Sequence, residues 1–267
     1  MIAPGELTVH TAADATGRTR ITDLRQRYPQ RVTTALHTDA EFPRAAVLCV
    51  QSPSGGTFSD DDLHTAVRCT PGTHLHLTSQ AATQVFAGSG PGARHRIEFT
   101  VDAGAVLEYL PKTIIPQSDS MFTQTLDLDV EDGGVYIGWD AIAAGRIAHG
   151  ERFRYAAIDN SFTVRSQGRV LARDRQRITG AHTLDGDYLA TLLVVTPGAT
   201  PGSALLAVRA ALDEHPEISG GAGELPERTG IFARIIARRA PELNRVRLAL
   251  HAAARRSVLE QPIARSA

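Results

Sequence analysis

The 267-residue sequence has little sulfur: Cys49 and Cys69 are its only cysteines. Two thiols are too few for a disulfide framework, which excludes a small stapled scaffold. Aromatic residues make up only 5% of the chain, with Trp139 the single tryptophan. A core must therefore be built from Val, Leu, Ile and Ala, and stacking surfaces for sugars or bases are scarce. Lys112 is the only lysine among 28 basic residues, and the formal net charge is −1. Without a basic stripe, nucleic acid is not expected as a partner. No apolar run reaches the length of a membrane-spanning helix, and Met1-Ile2-Ala3-Pro4-Gly5-Glu6 does not read as a signal peptide. These absences predict a soluble, cytoplasmic protein with no membrane partner. The phosphate-loop pattern, the dinucleotide fingerprint, the nucleophile elbow and the zinc-protease helix motif are also missing. Nothing predicts a catalytic centre or a nucleotide bound by this chain.

What is present is alternation. At 42% hydrophobic, the chain can bury a sizeable core. Ala45 to Val50 is an apolar run of strand length, closed by Ser52-Pro53-Ser54-Gly55-Gly56. Arg94 to Val101 puts His95, Ile97, Phe99 and Val101 on one face, and Thr123 to Val130 alternates in the same way. Pro71-Gly72 between His64–Cys69 and His74–Thr78 predicts a hairpin. Gln167-Gly168 predicts a second hairpin turn. Roughly a dozen short strands with turn signals between them predict a mainly β architecture of stacked sheets. Two helices come late, Ser203–Glu214 and Ala240–Arg256. The expected organisation is a single domain over 1–267, with a β-rich core at 1–197 and a helix-containing part at 198–267.

Several residues carry possible metal chemistry. Glu108 stands in Val106-Leu107-Glu108-Tyr109-Leu110, where a strand would place it on one face with Val106 and Leu110. A carboxylate there must be paired, hydrogen-bonded or metal-bound. His74 and His76 share a strand face, a chelating arrangement for nickel or zinc. A tight Pro71-Gly72 hairpin would set Cys69 opposite His74. Asp60 and Asp61 belong to an aspartate run, either solvated or holding a cation transiently. Asp140 could cap a helical turn over Ala141–Arg146. His149 and Glu151 could share a face, beside glycines at 145 and 150 that permit close backbone approach. A carbohydrate-active enzyme on a β-helical or sandwich scaffold, using Asp140 and Glu151 as paired carboxylates, is the alternative from another class. The scarcity of aromatics argues against it.

Over about the first two-thirds of the chain, an ordered set of segments resembles the urease accessory protein D family. The set is Ser52-Pro53-Ser54-Gly55-Gly56, Ser79-Gln80-Ala81-Ala82-Thr83, Leu107-Glu108-Tyr109-Leu110-Pro111 with Ile115-Pro116, Trp139-Asp140, Gly145-Arg146 with Gly150-Glu151-Arg152-Phe153, and Asp174-Arg175-Gln176-Arg177-Ile178-Thr179-Gly180. The sequence departs from the family pattern at Ser59–Asp62, Gln84, Gln117 and Met121. The resemblance implies helically wound, stacked β-sheets with a pair of helices, and a scaffold that is not an enzyme. It implies binding to apo-urease and to accessory protein F, which recruits the GTPase, accessory protein G. It also implies transient passage of nickel through the D-type protein toward the urease active site. Weak, exchangeable ligands suit such a path, and the candidates are Asp60, Asp61, Glu108, Asp140 and Glu151, with His74, His76 and His149. The second helix carries Arg245, Arg247, Arg255 and Arg256, expected on its outer face. Residues 240–267 are the expected docking segment for accessory protein F, dispensable for closing the β-core.

Overall fold

The computed structural model describes residues 5–180, 184–199 and 201–259. Residues 1–4 of the N-terminal segment and 260–267 of the expected docking segment lie outside the described residues. The chain opens with β1 (Gly5–Ala13), β2 (Thr19–Gln26), β3 (Arg31–Val32), β4 (Ala46–Gln51) and β5 (Gly56–Thr57). It continues through β6 (Asp62–Cys69), β7 (His74–Ser79), β8 (Thr83–Val85), β9 (Ala93–Val101), β10 (Val106–Leu110) and β11 (Ile114–Pro116). Next come β12 (Met121–Val130), β13 (Val135–Ala143), β14 (Ala157–Ser166), β15 (Arg169–Thr179) and β16 (Tyr188–Val195). Helix α1 (Gly202–Asp213), β17 (Ser219–Glu224), β18 (Gly230–Ala237) and helix α2 (Ala240–Leu259) complete it. The fold is mainly β, as the alternation predicts, and both helices come late.

The strands form two sheets. One has seven strands in the order β15-β14-β12-β9-β6-β1-β2. The other runs β17-β18-β16-β13-β10-β7-β4-β3, with the short β5, β8 and β11 beside it. From β4 to β13 the chain winds as a coil. Each turn lays a long strand in the first sheet, one in the second, and then a short third strand. Equivalent strands of successive turns pair in parallel, as in Val67↔Phe99 and Leu75↔Leu107.

This winding corrects the hairpin expected at Pro71-Gly72. β6 and β7 lie in different sheets, and Cys69 pairs with Thr11 and Val101, not with His74. The turn is a corner of the coil. Its Gly72 amide donates to the Gly104 carbonyl at 3.0 Å, and the Gly104 amide donates to Gly133 at 3.0 Å. The stacked corners satisfy one another's backbone groups, which local hairpin bonds would otherwise do. Crossing over also lets Val67 and Cys69 of one strand and Leu75 and Leu77 of the next face each other in one core. The Gln167-Gly168 turn does form a hairpin, joining β14 to β15.

Close stacking fixes a glycine at position 56. A Cβ there would lie 2.3 Å from the Gln84 carbonyl oxygen of the next turn.

Strand β10 alternates between two environments. Leu107 and Tyr109 point between the sheets, whereas Leu110 and Glu108 point to the face that α2 covers. Helix α2 buries Leu243, Val246, Leu250, Ala253 and Ala254 against Ile137, Trp139, Leu192 and Ile235. Each large side chain buried this way contributes about 1.5–3 kcal/mol. The helix thus packs into the core, whereas from the sequence it is expected to be dispensable for closing the β-strands. Strand β18 pairs with β16, so the late segment also extends the second sheet.

Candidate metal sites

Glu108 is completely buried and has three partners. Its Oε1 lies 2.6 Å from His74 Nε2 and 3.0 Å from Arg255 Nη2. Its Oε2 lies 2.5 Å from His251 Nε2. The local sequence explains the arrangement. His74 and His76 point the same way along β7, β10 lies parallel beside it, and Glu108 stands level with His76. His251 and Arg255 are four residues apart, one helical turn, and so reach down from α2 side by side. Arg255 also binds Asp39 and stacks over the Phe42 ring at 4.4 Å, while its Nη1 reaches Glu41 at 3.2 Å. Burial pushes the Glu108 pKa up, but the hydrogen bonds from His251 and His74 outweigh it and hold the carboxyl well below the usual range. Burial drives the His76 pKa down, against the pull of the Glu108 carboxylate. Ligand atoms of Asp39, His76 and Glu108 all lie within 4.8 Å of one another.

Arg255 corrects the expectation of an all-outer arginine face. It is 8% exposed and faces inward, whereas Arg245 and Arg256 are exposed and Arg247 half-buried. The carboxylates of Asp39 and Glu108 draw it inward and offset part of its desolvation.

A second site lies between the sheets. Asp140 does not cap a helical turn: β13 runs on to Ala143 because its ladder with β16 continues to Ala143↔Tyr188. The side chain instead points across to β12 and β14. Gln124 Nε2 donates to Asp140 Oδ1 at 3.3 Å, and Asn160 Nδ2 donates to Oδ2. Burial raises the Asp140 pKa, partly offset by those two amides. A cavity of about 130 Å³ adjoins it, lined among others by Gln30, Thr65, His95, Tyr109 and Gln124. A smaller one of about 40 Å³ continues past Asp140 toward Asn160, Gln176 and Thr191. Each has room for at least one water. The His95 pKa falls to about 4, chiefly because the ring is buried, and its Nε2 meets Thr65 Oγ1 at 2.9 Å. The seam is a run of hydrogen-bonded polar side chains set among the apolar residues that make up most of the space between the sheets.

The remaining candidates stand apart from both sites. Asp60 is exposed. Asp61 closes a turn, accepting from Phe58 N at 2.8 Å and from Thr57 Oγ1 at 3.1 Å, and Thr57 itself lines the larger cavity. Glu151 is paired with Arg146, whose Nε donates at 2.8 Å, and this pair holds the Glu151 pKa down to about 2. His149 is exposed. Gly145 allows that loop to close, because at φ +129° a Cβ would stand 2.0 Å from the Glu151 carbonyl oxygen. Glu151 is held by Arg146 and the Ser118 amide, whereas Asp140 is held by Gln124 and Asn160, so the two carboxylates share no partner. Cys69 is fully buried between Thr11 and Val101 in the first sheet, away from His74 and His76, and burial raises its thiol pKa to about 12.

Sequence reasoning missed Asp39, His251 and Arg255 at the first site and Gln124, Asn160 and His95 at the second. The i, i+4 pair of His251 and Arg255, flanking the apolar stripe of α2, was the available signal. Comparison with known proteins decides the family. The model of the family described as "UreD urease accessory protein" matches residues 3–267. The chain belongs to the UreD family. It is 60% identical to the urease accessory protein UreD of Mycolicibacterium gilvum, over 97% of this chain and 96% of that protein. It is 29% identical to urease accessory protein UreD 2 of Streptomyces griseus, over 82% of this chain and 78% of the relative. The UreD of Cenarchaeum symbiosum is 28% identical over 83% and 81% respectively. The UreD description is that of an accessory protein and not of an enzyme.

Proposed function

We propose that this chain matures urease as a non-enzymatic scaffold, binding the apoprotein and, with accessory proteins F and G, passing nickel to it. Family membership over nearly the whole chain supports the urease role. The observation that carries the nickel reading is the polar seam between the sheets, with Asp140 at its centre. Nickel in transit needs oxygen and nitrogen donors that exchange readily, and a buried carboxylate among amides, hydroxyls and an imidazole supplies them. Asp140 is the interior station of this reading. Asp60 and Asp61 sit beside the strand that borders the larger cavity, and His149 and Glu151 lie on a separate surface loop; all four serve as outer contacts. Glu108, His74 and His76 lie on the far face of the second sheet, off that seam, and act as a separate nickel-responsive group. In this reading GTP hydrolysis belongs to accessory protein G, in keeping with a sequence that carries no phosphate loop.

The test is complementation in cells that express a urease operon without this gene. Restored urease activity, co-purification of the chain with apo-urease and accessory protein F, and nickel in the recovered urease are expected. Full activity without the chain, or co-purification with neither partner, would remove the proposal.

A further inference from the structure

The cluster under α2 holds one imidazole without a hydrogen bond. His74 and His251 each direct Nε2 at Glu108. His76 makes no side-chain hydrogen bond among the described residues, although its ring lies 6.2 Å from that of His251. Its donor atom, one Asp39 oxygen and one Glu108 oxygen lie within 4.8 Å of one another. Donors around a single ion, at bonds of about 2.0–2.2 Å, stand roughly 3–4 Å apart, so a small inward movement suffices. Arg255 now fills the space, and it fits incompletely: its Nε is buried without a partner. Glu41, whose side chain is 65% exposed, already touches Arg255 Nη1 and offers it a place nearer solvent.

We propose that Asp39, His76 and Glu108 form a divalent-cation site in which Arg255 is the resident cation that an incoming metal displaces. Without the guanidinium, the two carboxylates present a charge of −2, which a divalent ion neutralises and an arginine only halves. The donor set of two carboxylates and an imidazole suits nickel or zinc more than calcium or magnesium. His74 and His251 hold Glu108 in place while the metal enters. Displacement moves Arg255 from Glu108 and Asp39 toward Glu41, so the last turns of α2 register whether the site is loaded. The site does not depend on the seam between the sheets, and it is tested on the isolated protein without urease.

The experiment is calorimetric titration of the purified full chain with Ni²⁺ alone and Zn²⁺ alone, comparing wild type, His76→Ala and Arg255→Met. His76→Ala removes no hydrogen bond, so its melting temperature should stay within about 2 °C while affinity falls at least tenfold. His76→Gln gives the same readout in a side chain of similar bulk, should the alanine variant melt lower. Arg255→Met, folded, should bind more tightly than wild type. If it does not fold, wild-type amide exchange over residues 250–258 should quicken severalfold on loading. Equal affinity in wild type and both His76 variants, or no saturable binding by wild type, overturns the site. Weaker binding by folded Arg255→Met, or unchanged exchange on loading, overturns the displacement. A failure in cells, with these results intact, would count against the maturation reading and not against this site.

Discussion

Replacing Glu108 by glutamine separates a structural carboxylate from a purely transient ligand. The substitution keeps the shape and removes the charge. Glu108 is fully buried, and its two oxygens receive His74 at 2.6 Å, His251 at 2.5 Å and Arg255 at 3.0 Å. A glutamine has one acceptor oxygen, and its amide would face a donor on the other side. Arg255 keeps Asp39 and Glu41, so its charge is not wholly stranded, but one carboxylate of the network is gone. Breaking a buried ion pair by removing one partner costs about 3–5 kcal/mol. At about 2–4 °C per kcal/mol for a chain of this size, the melting temperature should drop by roughly 6–20 °C. Chemical denaturation followed by circular dichroism gives the free energy directly. The matched control is Asp127→Asn, which breaks an exposed pair with Arg165 and should change stability by less than about 1 kcal/mol. A loss below about 1 kcal/mol for Glu108→Gln would show that the buried network does not depend on this carboxylate and leave Glu108 free to serve as an exchangeable ligand only.

Other consequences follow from the same geometry. His95 has its folded pKa depressed from 6.5 to about 4, so its contribution is present above pH 6.5 and is lost as pH falls through 4. The loss is about 3 kcal/mol at most, less because part of the ring faces the cavity. A His95→Gln variant should show a flatter stability profile between those pH values, and an unchanged profile would contradict the assignment. Leu250→Ala should cost about 2–5 kcal/mol because it opens a hole under α2; a loss under 1 kcal/mol would show the helix to be loosely seated. Removing the chain from residue 240 onward should abolish the cooperative melt, and a retained sharp transition would restore the view that the β-strands close alone.

The alternation of β9, β10 and β12 was legible because one face of each strand is buried and period two is local information. The Gln167-Gly168 hairpin and the late helices were legible for the same reason. The coil was not. Its short strands, such as β5 at two residues and β8 at three, fall below the length at which a pattern shows. A corner glycine also reads the same as a hairpin glycine, because the difference lies in which distant strand supplies the pairing. The face of Glu108 was predictable, whereas its partners were not, since His251 lies 143 residues away along the chain. Arg255 looked like one more surface arginine until Asp39 and Glu108 were placed beneath it. Asp140 before Ala141-Ile142-Ala143-Ala144 has the local chemistry of a helix cap, and the ladder with β16 overrode it.

Passage of nickel to urease through the polar seam, as proposed above, depends on Asp140. Asp140→Leu puts an apolar branched side chain in that seam and leaves Gln124 and Asn160 bonded to each other at 3.3 Å. Burial of the Asp140 carboxylate raises its pKa, and losing that buried charge offsets part of the cost of leaving the Asn160 amide without its acceptor, so the melting temperature of the variant is measured alongside. The deciding measurement is nickel per urease active site in urease purified from cells in which Asp140→Leu replaces the wild-type chain. Co-purification at wild-type levels is expected, with nickel loading reduced at least tenfold. Wild-type nickel loading by a folded, urease-bound Asp140→Leu protein would contradict it.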